Sequence, residues 1–404
     1  MTDIGLSIMA ASANPAEEMK PLLDEFEAEH HAHVNLQVIN WDIAWSELVK
    51  MALYHQGPDV SEVGLTWSVN LMAMDALRPF TRAEVDSFGG TGAFVPAMWT
   101  SEVPLSVEQR WSIPWLAHTY VLCYRRDLLK QVGVDEAWAF DTIPHMAETL
   151  QRLCDGGIEL PWVTHTSTDY SRDHVHMMAS WVWGSGGRFL SPDGKRTLLR
   201  SPEARAGIKA YFNLFRYLPP SAHHLSGTDS VAAFTQGRAA ITILSAPNLY
   251  VFFRSRSNEL AAEVRDNLGT TVLPGVPYVG GSNLVIWKHT PSNKAALALK
   301  LVRFLTGRRA QALFAQRSGI PPGRLEAIAD TFFVEEPFKA IVTALQTGRS
   351  YRSLERWGVV EDKLAPALVE IQSEVMANPT NDLDAIIFRH LDPVAEKLDL
   401  ILGN

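Results

Sequence analysis

Between Leu273 and Gly307 the sequence reads LPGVPYVGGSNLVIWKHTPSNKAALALKLVRFLTG, and no other stretch constrains the fold as much. Pro274, Gly275 and Pro277 break regular structure, and Gly280-Gly281 permits a sharp turn or a close backbone approach. Leu284-Val285-Ile286-Trp287 is short, apolar and partly β-branched, as a buried strand is. Thr290-Pro291 then supplies a helix cap with proline at the first helical position. Leu297, Leu301, Phe304 and Leu305 share one helical face, and Gly307 is placed to end the helix. A fresh strand and helix begun this late, after a Gly/Pro passage, predict that the chain re-enters a domain it left earlier.

The 404 residues exceed one ordinary core and predict two or three domains. Near the N-terminus, Gly5 to Met9 reads as a strand, Pro15 to Glu29 as an amphipathic helix and Val34 to Ile39 as a second strand. A helix over 44–54 and a strand through Val63 to Trp67 follow, giving the alternation of a parallel sheet with covering helices. In such sheets ligands collect beyond the carboxyl ends of strands, and Asn14, Trp41 and Trp67 all fall just past such ends. The stretch from Trp111 reads as a strand entering Pro114-Trp115, a polar pause at His118-Thr119 and a second strand, where the first crossing between domains is expected.

Several classes of function are disfavoured. The net charge of −9, with no long run of one sign, argues against a nucleic-acid partner. The longest apolar stretches are broken by charges such as Lys300 and Arg303, so no transmembrane helix is expected. Ile4 to Ala11 is apolar, but it is short and is preceded by Asp3 instead of Lys or Arg, so it reads as a first strand and not as an export signal. Cys123 and Cys154 read as buried free thiols. The 13 histidines include His30-His31-x-His33, His174-x-His176 and His223-His224, which lack a ligand frame and read as surface or loop residues, so no metal or cofactor is expected.

Taken in order, several short motifs resemble the family 1 extracellular solute-binding proteins of ABC importers, the maltose-binding-like group. They include Phe26-Glu27-Ala28-Glu29, Gly57-Pro58-Asp59-Val60, Ala76-Leu77-Arg78-Pro79-Phe80, Ile113-Pro114-Trp115 and Tyr124-Arg125-Arg126-Asp127-Leu128-Leu129. Further along come Trp183-Gly184-Ser185-Gly186-Gly187 with Asp193-Gly194-Lys195, Phe234-Thr235-Gln236-Gly237-Arg238-Ala239-Ala240, and Leu273-Pro274-Gly275 with Gly280-Gly281-Ser282. The resemblance implies a two-lobed α/β periplasmic-binding-protein fold of type II, with a multi-strand hinge. Lobe 1 is expected over 1–116 and 281–314, and lobe 2 over 117–280 and 315–404. It further implies a sugar or oligosaccharide bound between the lobes with hinge closure, delivery to an ABC permease, a monomer, and a periplasmic or extracellular setting. Where the family often has Gly-Pro-Trp, this chain has Ala246-Pro247-Asn248, an amide in place of a stacking aromatic.

A sugar needs flat apolar surfaces for its C–H faces and fixed polar groups for its hydroxyls. The 12 tryptophans are many for this length, and several stand beside Gly, Pro, Asn or Ser. The expected ligand contacts are Asn14, Trp41, Trp67 and Trp115 from the first lobe. Asp169, Tyr170, Asn248, Gly281, Ser282 and Trp357 are expected from the second lobe and the crossings. Trp181, Trp183 and Trp287 read as core residues, and Gly281 and Ser282 read equally as hinge residues. A glycosidase would need a carboxylate pair, and the spacing of Asp169, Asp173, Glu335 and Glu336 identifies none, so no catalytic residue is expected. An intracellular sugar sensor is the other alternative.

Overall fold

The computed structural model describes residues 2–12, 14–101, 109–168, 173–254, 261–352, 354 and 356–403. The elements that position the site are, in order, β1 (Thr2–Met9), α1 (Pro15–His30), β2 (Ala32–Ile39), α2 (Trp41–Tyr54), β3 (Val60–Gly64), α3 (Ser68–Ala73) and β4 (Ser112–Arg125). They continue with α4 (Asp173–Gly184), β5 (Ile241–Ser245), α5 (Ala246–Arg254), β6 (Leu268–Val272), β7 (Val279–Ile286), α6 (Ser292–Leu305), α7 (Arg308–Ser318) and α8 (Trp357–Ala377). The chain divides into two compact units. Unit 1 is Met1–Thr119, Val279–Phe338 and Arg349–Trp357; unit 2 is Tyr120–Tyr278, Lys339–Gly348 and Gly358–Asn404.

In unit 1 the strand order is β2-β1-β3-β7-β4, with β1 parallel to β2 and β3, and β7 antiparallel to β3 and β4. Period-two alternation sends side chains to both faces, and both are covered. On one face Ile4, Leu6 and Ile8 of β1, Val60 of β3 and Leu284 and Ile286 of β7 pack with Phe26 of α1, Leu301 of α6 and Phe314 of α7. On the other, Met9, Val63, Val285 and Trp287 pack with Leu48 and Met51 of α2 and Leu71 of α3. Each such side chain contributes about 1.5–3 kcal/mol when fully buried. Register is pinned on this second face by a polar chain: Ser7 donates to Ser61 Oγ at 2.7 Å, and Trp287 Nε1 donates to the same oxygen at 2.7 Å.

The late stretch does return to the first sheet. β7 lies between β3 and β4, and Gly281 adopts φ +135, where a Cβ would overlap the Leu116 carbonyl oxygen. The helix cap differs from expectation: Pro291 occupies the N-cap, and the Thr290 hydroxyl donates to the Asp59 carbonyl at 3.0 Å. The expected pause at His118-Thr119 is absent, because β4 runs unbroken from Ser112 to Arg125 with a bulge at Pro114/Leu116. Residues 315–338, expected in the second lobe, group with unit 1. Arg324 holds them there, donating to the Thr306 carbonyl at 2.9 Å and the Phe88 carbonyl at 2.6 Å, while Pro322 bridges to Leu116.

In unit 2 the Tyr120–Arg125 part of β4 pairs antiparallel with β5 and β6. Cys123 is buried and Cys154 half-buried, and both are free thiols. No helix among the described residues is long and apolar enough to cross a membrane.

Candidate functional site

The order β2-β1-β3 means that the chain leaves β1 to one side and returns on the other, which places a topological switch point between β1 and β3. Asn14, Trp41 and Trp67 all lie just beyond the carboxyl ends of β1, β2 and β3. Asn14 is the exposed N-cap residue of α1, Trp41 opens α2 and Trp67 precedes α3. Trp41 thus belongs to a helix that begins three residues earlier than expected, and β3 ends at Gly64 instead of running to Trp67.

The structure brings these tryptophans together. The Trp67 ring meets Trp41 at 5.4 Å and 63°, and Trp45 at 5.6 Å and 55°. Such tilted and edge contacts suit the aromatic quadrupole. Trp67 is 8% exposed and Trp41 39% exposed, so the cluster is anchored in the core and open at one edge. Trp45 was missed in sequence; its i, i+4 relation to Trp41 on a helix was the available signal.

Glu62 was also missed. It is 1% exposed in β3, on the same face as Val60, and its Oε2 accepts the Met9 N–H at 2.6 Å. Burial pushes its ionisation up to about 7, against the lowering effects of the Met9 amide and the neighbouring Ser282 hydroxyl. That hydroxyl is close enough to favour the carboxylate, yet it makes no well-formed hydrogen bond and is buried. An acid inside the run Val60-Ser61-Glu62-Val63 was the sequence signal, since a lone carboxylate is costly on a buried strand face.

Unit 2 carries its own aromatic group, centred on Tyr278. His176 stacks on Tyr278 at 4.5 Å and 6°, Tyr120 at 6.2 Å and 28°, and Trp183 at 6.5 Å and 25°. Tyr120 donates to Asp173 Oδ1 at 3.0 Å. Burial first, then the Glu361 and Asp173 carboxylates, hold the Tyr278 phenol well above its ordinary range. The His174-x-His176 pair is therefore not a surface feature: His174 is buried, stacks on His165 at 5.5 Å, and is pushed down to about 4 mainly by burial. Trp183 is buried, as expected, and joins this stack.

The remaining expected contacts divide. Trp115 is a correction: it is 1% exposed and stacks on Phe314 at 5.6 Å inside the first core, because its position in β4 points it at α7. Gly281 is accounted for by strand packing, its carbonyl accepting the Leu65 N–H at 2.9 Å. Trp357 is buried and stacks on Tyr351 at 4.2 Å, not in the polar setting expected. Asn248 is exposed in the first turn of α5. Asp169 and Tyr170 lie outside the described residues. Among the described residues no group of three or more His, Cys, Asp or Glu is arranged to hold a metal ion.

Comparison with known proteins agrees with this architecture. The MalE sugar-binding protein of the phytopathogen Xanthomonas citri is 20% identical, with a TM-score of 0.83 over 100% of this chain and 98% of that one. Maltose-bound MalE3 of T. maritima is 20% identical, with a TM-score of 0.78 over 99% and 100%. An ABC transporter solute-binding protein of Thermotoga lettingae TMO, bound to α-D-tagatose, is 17% identical, with a TM-score of 0.78 over 100% of both chains. These likenesses establish the fold, that of the two-lobed MalE-like binding proteins. Comparison with curated proteins found no match. The model of the bacterial extracellular solute-binding protein family matches residues 11–312, and the chain belongs to that family.

Proposed function

We propose that this chain is the substrate-binding component of a carbohydrate ABC transporter, acting outside the cytoplasmic membrane as a monomer and not as an enzyme. The observation that carries the reading is the strand-end tryptophan cluster of unit 1, in which Trp67 and Trp45 are anchored and Trp41 presents an open edge. An indole offers a flat apolar surface to sugar C–H groups and a polar N–H at its rim. The ligands named for MalE3 and the T. lettingae protein, maltose and α-D-tagatose, support a carbohydrate. Asn14, Asn248 and Ser282 are retained as hydrogen-bonding partners for its hydroxyls. Trp357 and the pair Asp169 and Tyr170 are retained as ligand contacts. Affinity is expected near micromolar, about −8 kcal/mol.

The test is thermal unfolding with maltose, D-tagatose and ribitol, with product formation followed in parallel. A ligand that binds only the folded chain raises the midpoint. A shift with one of these probes, abolished by Trp41→Ala and accompanied by no product, supports the reading. Trp41 is partly exposed, so its removal leaves the core intact. Absence of any shift, or steady turnover of a sugar, refutes it.

A further inference from the structure

Glu62 has no part in the reading above, yet its placement is unusual. β1 and β3 pair only at Leu6/Val60 and Ser7/Ser61, although both strands continue beyond that point. Two residues on, the Met9 N–H is taken by the Glu62 side chain instead of by a β3 carbonyl. The carboxyl therefore stands between the ends of β1 and β3, at the switch point where ligands of open α/β sheets collect. Ser282 pairs with Gly64 across the β3–β7 ladder, so its hydroxyl belongs to the Glu62 face, where it is buried beside the carboxyl and makes no well-formed hydrogen bond. The Trp67 ring occupies the space a side chain at Gly64 would need, with Cδ2 at 2.9 Å from a Cβ built there. A carboxyl with one oxygen engaged by an amide, a hydroxyl without a well-formed hydrogen bond and an indole thus meet at one strand end.

Among the described residues no cation pairs with the carboxyl. Several charged groups on the surrounding elements are committed elsewhere. Lys294 of α6 pairs with Asp59 at 3.4 Å, Arg309 of α7 pairs with Glu25 of α1, Arg317 donates to the Glu17 carbonyl at 3.3 Å, and Ser12 donates to Glu18. His118 of β4 lies farther along, opposite Gly280. A buried carboxylate with amide and hydroxyl neighbours but no counter-ion holds its proton to higher pH, as the rise to about 7 reflects.

We infer that Glu62 is a ligand contact that gives up its proton on binding: as a carboxylate it accepts hydroxyl hydrogens of a polyhydroxylated ligand, so acidifying the solution weakens binding. The inference rests on the carbohydrate reading. The ionised form offers acceptor lone pairs on both oxygens, whereas the acid places a donor on one. Ligand hydroxyls stabilise the charged form and lower its ionisation point in the complex. Between the complexed and free ionisation points, affinity then falls by up to about tenfold per pH unit and one proton leaves per ligand bound.

The test is titration calorimetry of the wild type and Glu62→Gln with maltose, D-tagatose and ribitol, between about pH 5.5 and about pH 8.5, in buffers of different ionisation enthalpy. Glutamine keeps an acceptor for the Met9 amide. The expected result is proton release and an affinity loss of about tenfold on acidification in the wild type, with neither in Glu62→Gln. Infrared difference spectra of the two proteins without ligand should show a protonated carboxyl band that fades as pH rises through neutrality. Wild-type binding that is flat with pH, a full slope retained in Glu62→Gln, or a carboxylate ionised throughout each overturns the inference while leaving sugar binding standing. Failure of all three probes to bind at any pH overturns the carbohydrate reading and this contact with it.

Discussion

Gly281→Ala isolates the physical demand made by the chain's return to its first sheet. At φ +135 an L side chain is strained, at about 1–3 kcal/mol. The new methyl would also overlap the Leu116 carbonyl oxygen and stand 3.0 Å from Ala117 Cα. Both obstacles are backbone atoms of β4, so a rotamer change cannot relieve them. β7 has to move, which loosens its ladder to β4 and the 2.9 Å bond from the Leu65 N–H to Gly281, at about 1 kcal/mol per hydrogen bond. Against this, alanine restricts the unfolded chain and returns about 0.4–1 kcal/mol. The net expectation is destabilisation of about 3 kcal/mol, or roughly 6–12 °C in Tm for a unit of this size. Urea unfolding followed by tryptophan fluorescence measures it. Gly227→Ala is the control, since its Cβ meets nothing within 4 Å, and it should change stability by less than about 0.5 kcal/mol. If Gly281→Ala matches that control, the reasoning about β7 is wrong.

Trp115→Ala should cost about 3–5 kcal/mol by emptying part of the first core, while Trp115→Phe retains unaltered ligand affinity; a selective affinity loss in the phenylalanine variant would return Trp115 to the site. Because the folded ionisation point of Glu62 lies above its unfolded value of 4.5, the folded chain holds the extra proton between about pH 4.5 and 7, and stability falls as pH rises through that window. Glu62→Gln should therefore gain up to about 3 kcal/mol over the wild type at about pH 8 and lose that advantage at about pH 4.5, as read by urea midpoints. His174 acts in the opposite direction: burial lowers it to about 4, so below about pH 6.5 the unfolded chain takes up the proton first and stability falls with acidification. His174→Gln should flatten the acid side of the stability profile, and an unchanged profile would mean that His174 is not held neutral.

The alternation of short apolar runs with amphipathic segments made the first half of unit 1 legible, because strand and helix periods are local properties of the chain. The Gly/Pro passage before Leu284 made the return of β7 legible for a related reason, since Gly281 is required by the backbone itself. Caps and strand ends were less legible. Thr290 has the chemistry of a cap but is drawn to the Asp59 carbonyl, and β4 runs past the polar His118-Thr119 pair because β5, β6 and β7 supply its hydrogen-bond partners from distant parts of the sequence.

The site followed the same division. That Trp41 and Trp67 fall just beyond strand ends was legible, but Trp115 carries the same sequence cues and lies in the core. Which face of β4 it occupies depends on Phe314, almost two hundred residues away along the chain. Glu62, Trp45, His176 and Tyr278 gained their roles only through neighbours remote in sequence: Met9 and Ser282 for Glu62, Trp67 for Trp45, and Tyr278 for His176. The sequence by itself determined the alternation of elements in the first half of unit 1, the family and the placing of Trp41 and Trp67 near strand ends, all of which rest on local pattern. Only the tertiary structure decided which aromatics are core, which carboxylate is buried without a counter-ion and where β7 inserts, because burial and electrostatics depend on contacts that no local pattern encodes.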